Sequence, residues 1–392
     1  MDLRFVTAAA RSAASIIGLL IFSALILATR CANYRDVFVG GDVYFTDADC
    51  YSRMTRARLC LEHPGLIIRH HSFENFPAGT TPHTTAPFDY FIVALAESLR
   101  PFTGNAIDLA GAWISPLLGL AGGWFLWWWA RRNRLRYRAA LLLLYGLSPI
   151  LVHGTELGRP DHQALIILLS ILAICSEWTL QTETSRGWSI ANGIAWGLAL
   201  WVSLYEPLIL FAIVFLSQII FARKNFIARH RRLGWVWLGA IVALGFALEQ
   251  RLPVSTLFGA DSILLNWMRT IGELRPVPIT DQIWLRWCGL LLIPAPALLW
   301  IALRKNFAVP IFLGALLAAT FLLTLWQARW AYFFVLIFAL TLPGLLALIE
   351  NQLVAFVAIG VSLLPILTDW DTQLWPNESQ STLRFEHRLE AV

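Results

Sequence analysis

The sequence predicts an all-α polytopic membrane protein, and three observations support that prediction. Of the 392 residues, 58% are hydrophobic and only 14% are charged. A water-soluble domain averages roughly 45–50% apolar and about 25% charged residues. The mean hydropathy is +0.63. The apolar residues also gather in runs close to the roughly 20 residues that a helix needs to cross a bilayer. The composition therefore excludes an ordinary soluble enzyme.

About eleven apolar runs meet or approach the length of a membrane-spanning helix. An apolar piece at 88–99 looks too short to span, and the run at 139–154 is short. No convincing small-residue cleavage site follows the first run, which we interpret as a retained signal anchor. The runs lie near 12–30, 108–130, 139–154, 163–180, 188–204, 206–222, 234–249, 285–303, 308–326, 329–349 and 351–367.

Basic residues predict the orientation in the membrane. Lys and Arg cluster in three short loops, at 131–138, 223–232 and 304–305. Short basic loops stay in the cytoplasm. Even numbers of predicted spans separate these loops, and the N-terminus with Arg4 and Arg11 falls on the same side. We therefore expect a multi-pass protein of the cell membrane with a cytoplasmic N-terminus. The net charge of +5 then reflects topology, and gives no reason to expect a nucleic-acid partner.

The same topology predicts what faces outward. Two long outer loops are expected, at 31–107 and 250–284, within one transmembrane domain over 1–367. The remaining segment, 368–392, is predicted to be a short outward-facing tail, too short to fold as a separate domain.

The cysteines predict neither a zinc site nor a disulfide framework. There are five of them, they are scattered, and no CxxC pair occurs. We expect free thiols at positions 31, 50, 60, 175 and 288.

Carboxylates interrupt the apolar pattern in the predicted outer segments. Asp47 and Asp49 follow the first span, Asp161 lies at the outer mouth of a helix, and Glu273 lies in the second long loop. Topology places all four on one side of the membrane. Carboxylate oxygens from separate loops suit Mg²⁺ or Mn²⁺, and such a metal can act as a Lewis acid and hold phosphate oxygens. Each acid taken alone could instead be a solvated loop residue.

Three polar residues could complete such a site. His162 and Gln163 follow Asp161 and could add a nitrogen and a carbonyl oxygen. Arg329 begins an apolar run at its outer end, where a charge is costly and usually has a partner. Its planar guanidinium matches a phosphate, which suggests that it holds the phosphate of a lipid substrate. An interfacial anchor beside Trp330 is an equally good interpretation.

In these motifs the chain resembles the catalytic subunit of oligosaccharyltransferase, a multispan glycosyltransferase of the GT-C class. Four segments carry the resemblance, and they occur in the family's order. They are DADCYSRMTRARLCLEHPG after the first span, GRPDHQ, TIGE with Pro276 three residues later, and ARWAYFF. The match covers nearly the whole membrane portion, which the resemblance implies is a GT-C helical bundle.

The resemblance also implies roles for particular residues. Asp49 takes the position of the family's metal aspartate, with Asp47 as the other acid of the DxD pair. Asp161 takes the position of the second acidic motif, and Glu273 that of the glutamate in the second outer loop. Arg329 takes the place of an arginine near the lipid-linked diphosphate. A divalent metal, Mn²⁺ or Mg²⁺, is the implied cofactor.

Two departures from the family pattern occur, one bearing on the role of Gln163 as a ligand and the other on the acceptor. Gln163 stands where the family usually has Glu or His. The family's C-terminal soluble domain carries a WWDYG motif that recognises the acceptor sequon, and no WWDYG occurs in this sequence. The resemblance is therefore to a form without that domain. The acceptor could be a protein, a lipid or a glycan, and an accessory protein could supply its recognition.

We thus expect a metal-dependent glycosyltransferase. It would move a sugar or oligosaccharide from a polyprenyl-(di)phosphate carrier to an acceptor on the outer face. The alternative within enzymes is a transferase that uses a polyprenyl-monophosphate sugar and acts on a lipid or a cell-envelope glycan. A lipid or sugar transporter would instead place its acids at mid-bilayer between internal repeats. A non-catalytic scaffold would have no need of the three acids.

Overall fold

The computed structural model describes residues 3–74, 76–82, 84–251, 271–304 and 309–374. Most of the predicted second outer loop, including Thr270 of the TIGE motif, lies outside the described residues. So do Lys305 of the third basic loop and most of the predicted tail.

Apart from one hairpin, the regular secondary structure of the described residues is helical. A small antiparallel hairpin, β1 (Phe38–Val39) and β2 (Asp42–Val43), follows the first two helices, with Phe38 opposite Val43. The α-helices are α1 (Leu3–Arg30), α2 (Tyr34–Val37), α3 (Ala48–Glu62), α4 (Ala86–Leu99), α5 (Ala106–Arg132), α6 (Arg138–Leu147), α7 (Pro149–His153), α8 (His162–Thr182), α9 (Arg186–Val202), α10 (Tyr205–Phe221), α11 (Arg223–Phe226), α12 (Arg232–Glu249), α13 (Ile283–Cys288), α14 (Ala295–Arg304), α15 (Ile311–Trp326), α16 (Ala331–Leu346), α17 (Gln352–Ser362) and α18 (Leu364–Leu374). Short 3₁₀ helices cover Arg229–Arg231, Gly272–Leu274, Leu290–Leu292 and Ala328–Trp330.

Four helical stretches within the described residues are long and apolar enough to cross a membrane, and six shorter apolar helices accompany them. This supports the predicted helical membrane protein. The predicted count of about eleven spans is not confirmed. The four stretches are Ala106–Arg132, His162–Thr182, Arg229–Glu249 and Ala328–Leu346.

Two helices form the centre of the bundle. Every residue of α16 is buried, and α8 is almost as completely enclosed. A helix that is hydrophobic on all sides must be surrounded by other helices or by lipid, and α16 is surrounded by protein, packing between α6 and α15 among others. In contrast, most residues of α12 are exposed at the surface of the bundle. The two central helices give a rigid frame for whatever their ends carry.

Several predicted apolar runs are broken helices. The run at 139–154 divides at Ser148 into α6 and α7, and the Ser148 hydroxyl donates a hydrogen bond to the Trp287 carbonyl at 2.7 Å. The run at 285–303 divides at Gly289, whose φ is +75°, where a Cβ would lie 2.3 Å from the Ser362 carbonyl oxygen. Hydropathy alone does not reveal such breaks. The helix α18 continues to Leu374, into the segment predicted as tail.

The segment predicted as the first outer loop is held together by a buried ion cluster. The apolar piece predicted at 88–99 is the 14-residue helix α4. Its buried Asp89 accepts a hydrogen bond from Arg53 of α3 at 2.9 Å and lies 3.7 Å from Arg56. Removing one member of such a buried cluster is costly, so these charges fix α3 against α4. The predicted free thiols are confirmed for all five cysteines.

A second cluster joins the segment predicted as the first outer loop to the end of α12. The buried Glu249 carboxylate accepts hydrogen bonds from the Ala86 amide at 2.9 Å and from the Trp201 indole at 3.3 Å. Arg69 donates to the Glu249 backbone carbonyl at 2.8 Å. The end of α12, where the predicted second outer loop begins, is therefore attached to the first predicted loop.

Candidate active site

The first acidic motif lies at the N-terminus of α3. Asp47 is the N-cap residue, in an extended conformation, and its carboxylate accepts a hydrogen bond from the Cys50 amide at 2.9 Å. Asp49 lies in the first helical turn. Carboxylates in these positions satisfy unpaired amides and interact favourably with the positive end of the helix dipole. The preference for carboxylates at a helix N-terminus therefore explains why both acids lie together at the start of α3.

The second acidic motif packs beside the first. The Thr46 amide donates to the Gly158 carbonyl at 3.0 Å. Gly158 has φ +72°, and a Cβ there would meet Val37 at 2.7 Å, so a side chain would not fit. Asp161 is the N-cap of α8, and its carboxylate lies 2.5 Å from Nδ1 of His162.

Arg159 occupies the centre of the site. Its guanidinium lies 3.3 Å from the Asp47 carboxylate and 3.1 Å from the Glu273 carboxylate. Glu156 is a third acidic neighbour, at 3.7 Å. The Arg159 side chain is only 10% exposed. One cation therefore joins acids from three separate segments of the chain.

His153 and Tyr332 complete a closed hydrogen-bonded ring with these groups. The Tyr332 hydroxyl donates to Glu273 at 3.3 Å and lies 2.7 Å from Nδ1 of His153. Nε2 of His153 lies 3.1 Å from the Arg159 guanidinium. A neutral imidazole with its proton on Nδ1 satisfies every contact, because Nε2 then accepts from Arg159. The ring fixes Glu273 relative to Arg159.

Arg329 is paired with a buried acid. Its guanidinium contacts the carboxylate of Glu206, which is completely buried at the start of α10. It also lies over the ring of Tyr205, 5.5 Å from the ring centre. The Arg329 side chain is 20% exposed. A simple interfacial anchor would place the cation in the headgroup layer, whereas this arginine is turned into the protein.

Gln163 connects the second acidic motif to that pair. Its amide nitrogen lies 3.4 Å from the Glu206 carboxylate. The side chain is buried, and its carbonyl oxygen has no hydrogen-bond partner among the described residues. An unpaired buried acceptor is costly and is chemically suited to a cation or to a donor on a ligand.

The electrostatics show that the acids lie close to one another. Partial removal from water, followed by repulsion from Asp47 and Asp161, raises the pKa of the Asp49 carboxyl. Burial, followed by repulsion from Asp161, raises the pKa of Glu273. Burial opposes ionisation of Asp161, but the adjacent His162 outweighs it and holds the pKa of that carboxyl below its usual range. Mutual repulsion of this kind is typical of a functional site.

Comparison with known proteins supports the predicted resemblance. No family model matches the chain. Over 149 residues it is 26% identical to dolichyl-phosphooligosaccharide-protein glycotransferase 1 of Archaeoglobus fulgidus, a match that covers 38% of this chain and 24% of that protein. The oligosaccharyltransferase AglB from the same organism, solved with an inhibitory peptide and a dolichol-phosphate, aligns over 94% of this chain with a TM-score of 0.68 and 14% identity.

The chain has the fold of an archaeal oligosaccharyltransferase. It spans 57% of the length of the AglB structure. A structure of the Archaeoglobus enzyme in complex with Zn and sulfate aligns with a TM-score of 0.65 over 92% of this chain and 54% of that one, at 15% identity. The ArnT protein from Cupriavidus metallidurans, bound to undecaprenyl phosphate, aligns with a TM-score of 0.59 over 90% of this chain and 62% of that one, at 17% identity. The predicted resemblance to oligosaccharyltransferase and the predicted helical membrane fold are thereby confirmed.

The oligosaccharyltransferase-like motifs do not form a closed metal site in this arrangement. Within the described part of the chain, no three or more His, Cys, Asp or Glu side chains are grouped to hold a metal ion. Arg159 lies between Asp47 and Glu273, and Asp161 turns toward His162. The donor chemistry nevertheless suits a hard cation, because the acids repel one another and the Gln163 carbonyl oxygen is unpaired. The predicted ligand roles stay predictions.

Two residues at the centre of the site were not predicted. Arg159 lies two positions before Asp161 in the GRPDHQ motif. A cation so close in sequence to a candidate acid could have been predicted to lie in the same site. Glu206 lies within an otherwise apolar stretch. An isolated acid there needs a partner, and Arg329 was an equally isolated cation. Pairing the two isolated charges would have identified the contact.

Proposed function

We propose that the chain is a membrane glycosyltransferase that moves a glycosyl group from a polyprenyl-phosphate carrier to an acceptor on the outer face of the membrane. The observation that carries the proposal is that Asp161 interacts electrostatically with both Asp49 and Glu273, and Glu273 with Arg329, at helix ends of an apolar bundle. The fold supports it, because the similar AglB and ArnT structures contain a dolichol-phosphate and an undecaprenyl phosphate.

Arg329 is the proposed contact for the carrier phosphate. Departure of the glycosyl group leaves charge on that phosphate, and a guanidinium already in place stabilises this charge without reorganisation. The turn that carries Arg329 faces the site, and the neighbouring helices α10 and α15 carry exposed apolar side chains, among them Leu208 and Leu322. A carrier chain can therefore remain in the bilayer while its phosphate reaches the arginine.

The carboxylates are proposed to hold a divalent cation and the acceptor. Asp49, Asp161 and Glu273 would be the principal ligands for Mn²⁺ or Mg²⁺, with Asp47, His162 and Gln163 at the margin. The bound metal would supply positive charge close to the reacting groups. Arg159 now neutralises two of these acids, so we expect metal binding to require that its guanidinium move away from Glu273.

A second candidate is transfer of one sugar from a polyprenyl monophosphate. The likeness to ArnT bound to undecaprenyl phosphate, which the chain matches over 62% of that structure's length, favours it. In both candidates the carrier phosphate meets the same arginine. The candidates differ in the donor and in the acceptor, which would be a protein in the first and a lipid or envelope glycan in the second.

The test is a transfer assay with purified full-length protein in lipid nanodiscs. Two donors are supplied in turn, a polyprenyl-diphosphate oligosaccharide and a polyprenyl-monophosphate sugar, with a sequon peptide and with or without Mn²⁺. We expect metal-dependent consumption of one donor. We further expect Asp49→Ala and Glu273→Ala to reduce it by about 100-fold or more, the scale found for loss of one electrostatic group in an active site.

The matched control is Asp42→Ala, which removes an exposed acid of the same outer loop in the β-hairpin. It should turn over like the wild type. Undiminished turnover in both site variants would overturn the assignment. Glycopeptide formation would favour the first candidate, and donor consumption restricted to the monophosphate would favour the second.

A further inference from the structure

Glu206 is a completely buried acid with no role in the reaction described so far. It is the second residue of α10 and has 0% exposure. Removing a carboxylate from water costs several kcal/mol unless partners compensate. A buried carboxylate such as Glu206 therefore needs cationic or hydrogen-bonding partners in direct contact with it.

Three side chains surround the Glu206 carboxylate. The Arg329 guanidinium contacts one oxygen, and the Gln163 amide lies 3.4 Å from the same oxygen. The Ser203 hydroxyl lies 3.3 Å from the other oxygen. The carboxylate therefore connects the second acidic motif with the arginine proposed to bind phosphate.

The residue before Glu206 supports the same arginine. The Tyr205 ring lies beneath the Arg329 guanidinium. Its hydroxyl donates to the Gln327 side-chain oxygen at 3.0 Å, two residues before Arg329. The start of α10 thus contacts both the Gln327 side chain, which precedes the 3₁₀ segment, and the charged group that the segment carries.

Arg329 has a second acid within reach of its charge. Glu273 interacts electrostatically with it, and Glu273 is also bound to Arg159. Without Glu206, the attraction of Glu273 would draw the Arg329 guanidinium toward the acids proposed to hold metal. A guanidinium in that position would neutralise a ligand and leave the phosphate position empty.

We propose that Glu206 is a positioning residue that holds Arg329 in the orientation needed to bind the phosphate of a polyprenyl-phosphate ligand. The inference rests on the proposed function, because it assumes that Arg329 meets that phosphate. It predicts that the buried acid increases phosphate affinity. Simple electrostatics predicts the opposite, since a neutralising acid next to a cation should weaken its attraction for an anion.

The test is a binding titration that needs no turnover. Full-length protein in detergent is titrated with undecaprenyl phosphate, and binding is followed by intrinsic tryptophan fluorescence, since the buried Trp330 adjoins Arg329. We expect Arg329→Gln to weaken binding by about tenfold or more, as for loss of a charge-assisted contact. Glu206→Gln should weaken it by roughly five- to tenfold, and Glu206→Asp, which keeps the charge, should recover part of that loss.

Non-additivity separates positioning from a direct contact. If Glu206 acts only through Arg329, the double variant Glu206→Gln/Arg329→Gln should bind no more weakly than Arg329→Gln alone. Additive losses would show that the acid acts by another route and would overturn the proposal.

The matched control is Glu177→Gln. Glu177 is equally buried and forms a bidentate ion pair with Arg231, at 2.6 and 2.9 Å, near the other end of α8. It should lower thermal stability without changing undecaprenyl phosphate affinity. If both variants weaken binding equally, general loss of packing is the cause and the proposal fails.

The remaining outcomes are also decisive. Unchanged or tighter binding by Glu206→Gln, with weaker binding by Arg329→Gln, would overturn the positioning role and leave the proposed function intact. A wild-type protein that does not bind undecaprenyl phosphate, or that Arg329→Gln does not affect, would overturn the phosphate assignment and this inference with it.

Discussion

Replacing Arg159 by glutamine should destabilise the protein and increase its response to divalent metal. The guanidinium lies 3.1 Å from Glu273, 3.3 Å from Asp47 and 3.7 Å from Glu156. The variant leaves three acids around a position that has lost its cation. Mutual repulsion and incomplete solvation then act together against the folded state.

The magnitude follows from the exposure of the partners. Breaking a fully buried ion pair costs about 3–5 kcal/mol, whereas an exposed pair contributes roughly 0–1 kcal/mol. Arg159 is 10% exposed, but Asp47 and Glu273 are 37% and 31% exposed. We therefore expect a loss of about 2–3 kcal/mol in the free energy of unfolding, between those limits.

A divalent cation should recover part of that loss. Ligand at 100 times its Kd stabilises a folded protein by about 2.7 kcal/mol. In the wild type, a metal at the proposed site would first have to displace Arg159 from Glu273, so the net gain should be smaller. In Arg159→Gln that competition is absent. Adding Mn²⁺ should therefore raise the thermal midpoint of the variant more than that of the wild type.

The assay is thermal unfolding in detergent, followed by tryptophan fluorescence with and without Mn²⁺. The control is Arg132→Gln, which breaks an exposed pair with Glu183 at 2.8 Å far from the site. It should change the midpoint little and show no altered metal response. Equal Mn²⁺ responses in wild type and Arg159→Gln would refute the idea that the arginine occupies a metal position.

Two further predictions concern acids outside the predicted ligand set, the partly buried Glu156 and the buried Glu249. Burial, only partly offset by Arg159, raises the pKa of Glu156 to about 7, from about 4.5 in the unfolded chain. The folded protein therefore binds this proton more tightly than the unfolded chain does. The resulting stabilisation is fully present below about pH 4.5 and is lost as the pH rises through about 7. Glu156→Gln should reduce the fall in stability between pH 5 and pH 8 by on the order of 2 kcal/mol, measured by unfolding at both pH values, and an unchanged slope would contradict this. Glu249→Ala leaves the Ala86 amide and the Trp201 indole without their acceptor, which should cost about 1–3 kcal/mol; hydrogen exchange should become faster in the peptide around Ala86, and unchanged exchange there would show that the acid does not hold the loop.

The sequence predicted the parts of the fold that depend on hydropathy. The long apolar helices α5, α8 and α16 coincide with predicted runs to within a few residues. A helix in lipid must make all its backbone hydrogen bonds internally, and it therefore needs an uninterrupted apolar stretch. The breaks at Ser148 and Gly289 were not predictable in this way. Each depends on a contact with a residue far along the chain, Trp287 for one and Ser362 for the other.

The acidic residues of the site could be predicted from the sequence, but the cations that pair with them could not. Asp49, Asp161 and Glu273 interrupt apolar surroundings, and the resemblance to oligosaccharyltransferase placed them in order. The partner of each acid depends on tertiary geometry. Glu273 could have faced a metal, Arg159 or Arg329, and composition does not distinguish these. Isolated charges were visible in the sequence, but their pairing was not.

The architecture explains why so many charges are tolerated at one end of an apolar bundle. Asp49 lies in the first turn of α3, Asp161 caps α8, Glu206 lies in the first turn of α10, and Arg329 lies in the 3₁₀ turn that leads into α16. Three of the four positions place a carboxylate at a helix N-terminus, where unpaired amides and the helix dipole favour negative charge. The cost of gathering carboxylates is thereby reduced before any cation is added. Arg329, at the fourth N-terminus, has no such support from its helix, because the dipole there disfavours a cation. Its charge there is stabilised by contacts with the start of α10, the buried Glu206 carboxylate and the Tyr205 ring.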